Sequence, residues 1–278
     1  MVWLYVGLHF RIATMSINAF VSVLFANQRA KPNHRSELVN QVLFGHKIII
    51  LDSENGWYLC KSSTPEYEGW IEGKEISLVS ANNLSDSIPI YYKRPYGFIK
   101  KNNVEVVPTT MGMALYKGTS TQAKENTAHD LLGVEYEVNA EDWSLMNEVF
   151  QKDQVPAFAK AMLHAPYLWG GCTALAPDCS GLVWLSFFLS GRIMPRDASQ
   201  QAKVGVAIDA GHYGMLAEPG DLHFFTENGK SISHVAVSLG QSKYIHASGK
   251  VQLNSLHPEH EDYDEYRAKS RVMTRRIS

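Results

Sequence analysis

The chain has little of what marks several large protein classes. Only three of its 278 residues are cysteine, Cys60, Cys172 and Cys179, an odd and widely spread set that is no disulfide framework. Such usage fits a reducing compartment, or a thiol kept free for chemistry. Charge is nearly balanced, 26 Lys and Arg against 28 Asp and Glu for a formal −2. The basic footprint of a nucleic-acid-binding protein is therefore missing, and no nucleic acid is expected as partner. At 45% hydrophobic and 19% charged, the composition is that of an ordinary globular chain with enough apolar mass for a core. No run approaches the 20 or so unbroken apolar residues of a membrane helix, so no stable span is expected. The opening "MVWLYVGLHF" is apolar, but no basic residue precedes it and Arg11 ends it. A cleaved signal usually starts with positive charge and ends on small residues. A signal and a true start at Met15 both stay open.

What is present falls into stretches of different texture. Residues 1–17 read as an N-terminal extension. Residues 18–80 are short strand runs broken by "KPNH", "FGHK", "DSENGW" and "STPEYEGW", the pattern of a small all-β barrel. Asn55-Gly56, between "KIIIL" and "WYLC", is a strong hairpin signal. Residues 81–140 continue more weakly with "IPIYY", "NVEVV" and "VEYEV", as a second, divergent β domain. From 141 to 278 the texture changes. "VPAFAKAMLHA" has helical spacing, and "LVWLSFFLS" is apolar all round, as a buried helix must be. The strands "DLHFFT", "SHVAVSLG", "KYIHAS", "KVQLNSL" and "SRVMTRR" follow. A buried helix packed on an antiparallel sheet, behind two β barrels, is an α+β layout.

The chemistry gathers around "APDCSGLVW". Asp178 is a good N-cap, which sets Cys179 in the first turn of the buried helix. There the helix dipole favours an anion and lowers a thiol's pKa, and free N–H groups can hold an oxyanion. Small Ser180 and Gly181 leave room for a substrate. A structural thiol is the alternative, and it is the reading preferred for Cys60 and Cys172. A nucleophilic thiol needs a base, and the base an orienter. His234 and His246 lie equally far on either side of Gly240. A three-residue loop at 239–241 sets them opposite each other across a hairpin, with Val235, Val237, Leu239 and Ile245 on the other face. Spacing alone equally fits a polar cross-strand pair with no role. A zinc site built on Cys179 and both histidines lacks a fourth ligand or a familiar spacing.

The segments "PYLWGG", "DCSGLVW", "MPRDASQQ", "EPGDLHFF", "SHVAVSLG" and "YIHASGKVQLNSL", in that order, resemble the NlpC family of papain-like cysteine peptidases over residues 155–278. "NQRAKPNHRSELVNQVLFG" and "YEGWIEG" resemble a bacterial SH3-like domain. The combination is most similar to the γ-D-glutamyl-L-diamino acid endopeptidases of murein recycling, which carry two SH3-like domains ahead of the peptidase. The resemblance implies Cys179 as nucleophile, His234 as base, His246 as orienter and Tyr167 as an oxyanion partner. It implies a substrate pocket lined by Asp178, Ser180, Trp169 and Ser199. Ala198 stands where relatives carry a pocket serine, with Ser199 as its substitute. It also implies that Glu37 and Tyr67 of the first barrel bind the free amino terminus of a murein-derived peptide.

The expected activity is thus hydrolysis of the γ-D-Glu–diamino acid bond by a cytoplasmic monomer that needs no cofactor or metal. A non-catalytic murein-binding protein and an acyl transferase using the same triad are the alternatives. An extracytoplasmic site follows if the apolar start is a signal.

Overall fold

The computed structural model describes residues 17–80, 87–102, 104–118, 126–146 and 149–278. The apolar start, and with it any signal peptide, lies outside them.

The first sheet has β1 (Ile17–Val21), β2 (Phe25–Arg29), β3 (Leu38–Leu43), β4 (Lys47–Glu54), β5 (Trp57–Ser63), β6 (Glu66–Glu72) and β7 (Ile76–Leu78). Their order is β3-β2-β6-β5-β4-β1-β7, around a core that includes Val42, Ile48, Cys60 and Ile71. Asn55 and Gly56 both have positive φ, 48° and 83°, and Glu54 pairs with Trp57 across them. That is the primed turn whose twist matches the strands it joins.

The second sheet has β8 (Ser87–Tyr92), β9 (Tyr96–Lys101), β10 (Glu105–Thr110), β11 (Ala114–Gly118), β12 (Thr127–His129), β13 (Glu135–Glu137) and β14 (Trp143–Leu145). β14 pairs with β8, so this unit continues past the boundary expected at residue 140. Trp143 is the reason: it is buried against Tyr92 in the second core.

The third unit holds α1 (Val155–Ala161), α2 (Cys179–Leu189), α3 (Ala198–Gln201) and α4 (Glu265–Ser270). Its strands are β15 (Val206–Ile208), β16 (Leu222–Thr226), β17 (Ile232–Gly240), β18 (Lys243–Ser248), β19 (Lys250–Ser255) and β20 (Arg271–Arg276). They form one antiparallel sheet, β15-β20-β16-β17-β18-β19. Every residue of α2 is buried, as its uniformly apolar run predicts. Val235, Val237 and Ile245 join α2 in the main core.

The β17–β18 hairpin corrects the expected register. Its turn is Gln241-Ser242, both at positive φ (51° and 68°), and Gly240 pairs with Lys243 while Leu239 is bulged out. Val237 pairs with Ile245 and Ser238 with Tyr244, which sets Ala236, not His234, opposite His246. The two histidines are diagonal neighbours on one face. Diagonal positions remain within reach of long side chains.

The three units pack together around the far end of α2. Phe188 meets Tyr91 of the second sheet at 4.8 Å and His46 of the first at 5.7 Å between ring centroids. His46 Nε2 in turn bonds the Gly112 carbonyl at 2.8 Å. Near the other end, Gly170 presses on the first barrel. A Cβ there would lie 2.4 Å from the Leu38 carbonyl oxygen, and its φ is +77°. Gly56 has a similar φ (+83°) and open space around it. Strain alone costs about 1–2 kcal/mol for a non-glycine residue in this region. Gly170→Ala is therefore expected to destabilise the protein by more than Gly56→Ala, at least about 2 kcal/mol, in urea unfolding of the two variants.

Candidate active site

Asp178 holds the start of α2. Its backbone is extended (φ −83°, ψ −177°) and its side chain accepts from the Gly181 N–H, which places Cys179 in the first turn. The carboxylate accepts five hydrogen bonds in all. Gly181 N (2.6 Å), Ser180 Oγ (3.1 Å) and Arg196 Nη1 (3.0 Å) reach Oδ1, while Gly170 N (3.0 Å) and Arg196 Nη2 (2.6 Å) reach Oδ2. Arg196, 1% exposed, also donates to Ser180 Oγ (2.8 Å) and, through Nε, to Asn40 Oδ1 of the first barrel (3.0 Å). Asn40 Oδ1 accepts from Cys172 Sγ as well (3.2 Å), and Cys172 N donates to Gln41 Oε1 (3.1 Å). Cys172 is thus a structural thiol at the seam between units. Asp178 and Ser180, expected as pocket walls, do border the cavity, but their polar atoms are already engaged in holding the helix start.

The histidines form a chain. His234 Nε2 and His246 Nδ1 are 2.8 Å apart, and His246 Nε2 lies 3.1 Å from Asn254 Oδ1. Asn254 Nδ2 donates to the Asp262 carbonyl (3.3 Å), which turns its amide oxygen toward His246. An acceptor at Nε2 makes His246 the Nε2–H tautomer and leaves Nδ1 to accept from His234 Nε2–H. His234 Nδ1 then carries the free lone pair, the nitrogen a base must offer. Gln252 Nε2 is a longer 3.4 Å from His246 Nε2 and also donates to the Ser248 carbonyl.

His234 lies beside Phe225 and His246 beside Tyr244, on the face of β17–β18 opposite the residues packed on α2. The Cys179 thiol instead lies near the backbone N–H of Val235, one residue beyond His234, which favours its charged form. Among the described residues no hydrogen bond joins the thiol to either ring, and catalytic contacts of this kind commonly tighten only with substrate bound.

Burial outweighs the helix dipole here. It pushes the Cys179 thiol up to about 12, helped by the Asp178 charge and opposed by the N–H groups of Val235 and Ser180 and by Arg196. Burial, then the Arg267 charge, holds His234 well below its ordinary value, and burial brings His246 down to about 4. The resting pair is a neutral thiol and a neutral imidazole. That departs from the expectation of a lowered thiol pKa.

A cavity of about 440 Å³ opens over Cys179, and the expected residues meet around it. Tyr167, Trp169, Asp178, Ser180 and Ser199 border it from the third unit, and Glu37 and Tyr67 from the first barrel. Trp169, 63% exposed, donates from Nε1 to Glu37 Oε1 at 2.8 Å, linking the two sides. Ala198 is buried and Ser199 exposed, both on the cavity wall. His234 and His246 are not among the lining residues.

The model of the NlpC/P60 family matches residues 164–270, and that of the bacterial SH3 domain matches residues 25–77. The chain carries an NlpC/P60 domain behind a bacterial SH3 domain. It is 27% identical to dipeptidyl-peptidase 6 of Lysinibacillus sphaericus, over 89% of this chain and 94% of that protein. It is 26% identical to gamma-D-glutamyl-L-lysine dipeptidyl-peptidase of Bacillus subtilis, over 74% and 71%. A solved NlpC/P60 family protein from Bacillus cereus superposes with a TM-score of 0.78, covering 94% of this chain and 99% of that one. At 20% identity that match shows the shared fold.

Within the NlpC/P60 domain, Arg196 and Asn254 were not picked out from sequence. Asn254 carries a readable signal, since Gln252 and Asn254 alternate on the strand after His246. Arg196 carries only its place in "MPRDAS", and Asn40, from a different domain, carries none.

Two measurements test this chemistry. With the thiol near 12, the thiolate fraction grows with every unit of pH up to that value. Iodoacetamide labelling of the Cys179 peptide is expected to accelerate from about pH 6 to about pH 9 without a plateau, whereas a preformed ion pair would level off. Asn254→Leu is expected to lower kcat by about tenfold or more with KM little changed, and Asn254→Asp to keep most activity. The aspartate should also move the acidic limb of kcat/KM upward, because a carboxylate favours the charged ring.

Proposed function

We propose that this protein is a cysteine peptidase that hydrolyses the γ-D-glutamyl–diamino acid bond of murein-derived peptides bearing a free amino-terminal L-Ala. The observation that carries this reading is the composite cavity, where Glu37 and Tyr67 of the SH3 domain face the same space as Cys179 of the NlpC/P60 domain. Relatives named gamma-D-glutamyl-L-lysine dipeptidyl-peptidase support the choice of bond.

In the proposed reaction the thiol attacks the γ-carbonyl of D-Glu as His234 Nδ1 takes its proton. The N–H of Cys179 and the Tyr167 hydroxyl receive the oxyanion. The C–N bond then breaks, and His234 returns the proton to the leaving amine. Water hydrolyses the thioester with His234 as base again. His246 holds the ring and shares its charge. Trp169 fixes one oxygen of Glu37 and leaves the other for the substrate's ammonium. A blocked terminus would leave that carboxylate without its partner, so free peptides are selected. The three free, buried thiols favour the cytoplasm as the place of action, which sequencing of the mature N-terminus tests.

The deciding assay compares L-Ala-γ-D-Glu-L-Lys with its N-acetylated form, reading release of free lysine. A charge-assisted contact supports about a ten- to hundredfold preference for the free peptide, and Glu37→Gln should remove most of it. Cys179→Ala should fold normally and release nothing. No turnover of the free peptide by the wild type would remove the proposed activity, and equal turnover of both peptides would remove the role of Glu37.

A further inference from the structure

The leaving half of the substrate must lie on the histidine side of the nucleophile, because the departing amine takes its proton from His234. This step rests on the peptidase reading above. The fold puts a carboxylate on that side. β16 pairs with β17 so that Phe225 faces His234 and Thr226 faces Ile232, and the next residue is Glu227. Glu227, Ile232 and Ser233 line the cavity together. Glu227 is exposed and, among the described residues, has no ion-pair or hydrogen-bond partner. Its backbone is nonetheless held, because Asn228 Oδ1 accepts from Lys230 N (2.9 Å) and Ser231 N (3.1 Å) to close the turn that follows.

The two ends of the cavity differ in what surrounds them. Tyr67 is pushed up by burial and then by Asp197, with smaller effects from Arg196, Glu37 and Asp178. Tyr167 is pushed up by burial and then by Cys179 and Asp178, with Glu227 also contributing. Glu37 lies with Tyr67 on the wall that the first barrel supplies, and Glu227 lies with Ile232 and Ser233 on the wall formed by β16 and β17. Arg196 is the one cation among the described lining residues, and Asp178 already holds it with two hydrogen bonds. A ligand carboxylate on the leaving side would find no free cation in that lining, and a ligand ammonium would find Glu227.

We propose that Glu227 is the specificity residue for the leaving amino acid. Its carboxylate receives the side-chain ammonium of a basic diamino acid, so L-Lys is favoured over a neutral side chain. L-Lys is likewise favoured over meso-diaminopimelate, whose distal carboxylate Glu227 repels. The substrate class this defines is a short peptide with an ammonium at each end of the scissile region, read by Glu37 on the acyl side and by Glu227 on the leaving side.

The test uses the full chain and three peptides, L-Ala-γ-D-Glu-X with X as L-Lys, L-norleucine or meso-diaminopimelate. An exposed ion pair contributes modestly, so the wild type should prefer L-Lys to norleucine about two- to fivefold in kcat/KM. Glu227→Gln should erase the preference by raising KM for the L-Lys peptide, with the norleucine peptide changed less than about twofold. Glu227→Asp should keep most of the preference, and added salt should shrink it. Equal losses on both peptides, or a wild type indifferent to the side chain or favouring meso-diaminopimelate, would overturn the role of Glu227 and leave the peptidase reading standing. A wild type that cleaves none of the three peptides would overturn both.

Discussion

The ion pair between Arg196 and Asp178 is the interaction on which the rest of the site depends. Both groups are buried, where an isolated charge costs several kcal/mol, and breaking such a pair by removing one partner typically costs about 3–5 kcal/mol. Here the cost is offset by saturation. Asp178 accepts from both ends of the guanidinium, from the helix it caps, and from the Gly170 N–H. Arg196 extends the same network to Asn40 in the SH3 domain. One bidentate contact therefore fixes the start of α2, the glycine bend before it, and the docking of the neighbouring domain. A lysine in place of Arg196 would keep the charge and lose the fork that makes these contacts simultaneous.

Cys179, the proposed nucleophile, is held protonated at rest by the same surroundings. A helix start ordinarily favours a thiolate, but Asp178 adds negative charge beside Cys179 and burial removes water from it. The neutral thiol and neutral imidazole that result suit a reaction in which the proton moves as the carbonyl is attacked. The Asn254–His246–His234 chain makes that possible by fixing which nitrogen carries the lone pair. Each ring is kept neutral by burial, so the base form persists well below neutral pH.

Much of the fold was legible because its signals are local. Asn55-Gly56 predicts its hairpin from backbone sterics alone, Asp178 predicts its cap, and the apolar run 182–189 predicts a helix with no exposed face. The pairing of the histidines was legible only to the level of the face they share. Alternation has period two and survives the actual turn, but the register depends on whether the loop is 239–241 or 241–242. Leu239 bulges, both turn residues take positive φ, and neither event has a strong sequence signal in "SLGQSKY". For a related reason, burial turns the thiol's shift opposite to the one expected from helix position. Helix position can be read along the chain, whereas burial and the approach of Val235 depend on residues far away in sequence. The cavity is the extreme case, since 132 positions separate Glu37 from Trp169.

Separation in sequence also bears on how specificity is built. In the proposed reading the chemistry sits on one domain and the check on the amino terminus on another, joined to it through Trp169–Glu37 at the rim and through Arg196–Asn40 beneath. The rim contact is exposed and the other is buried. These two contacts tie the SH3 domain to the domain that carries Cys179, while the two carboxylates proposed to meet the substrate's ammonium groups keep oxygens free. Glu37 commits one oxygen to Trp169, and Glu227 commits none among the described residues. In the proposed reading, Glu37 and Glu227 then read the charge at the two ends of a short peptide. On that proposal intact cell wall, with its peptide amino ends in amide linkage, leaves Glu37 without an ammonium partner and is disfavoured at the SH3 side of the cleft.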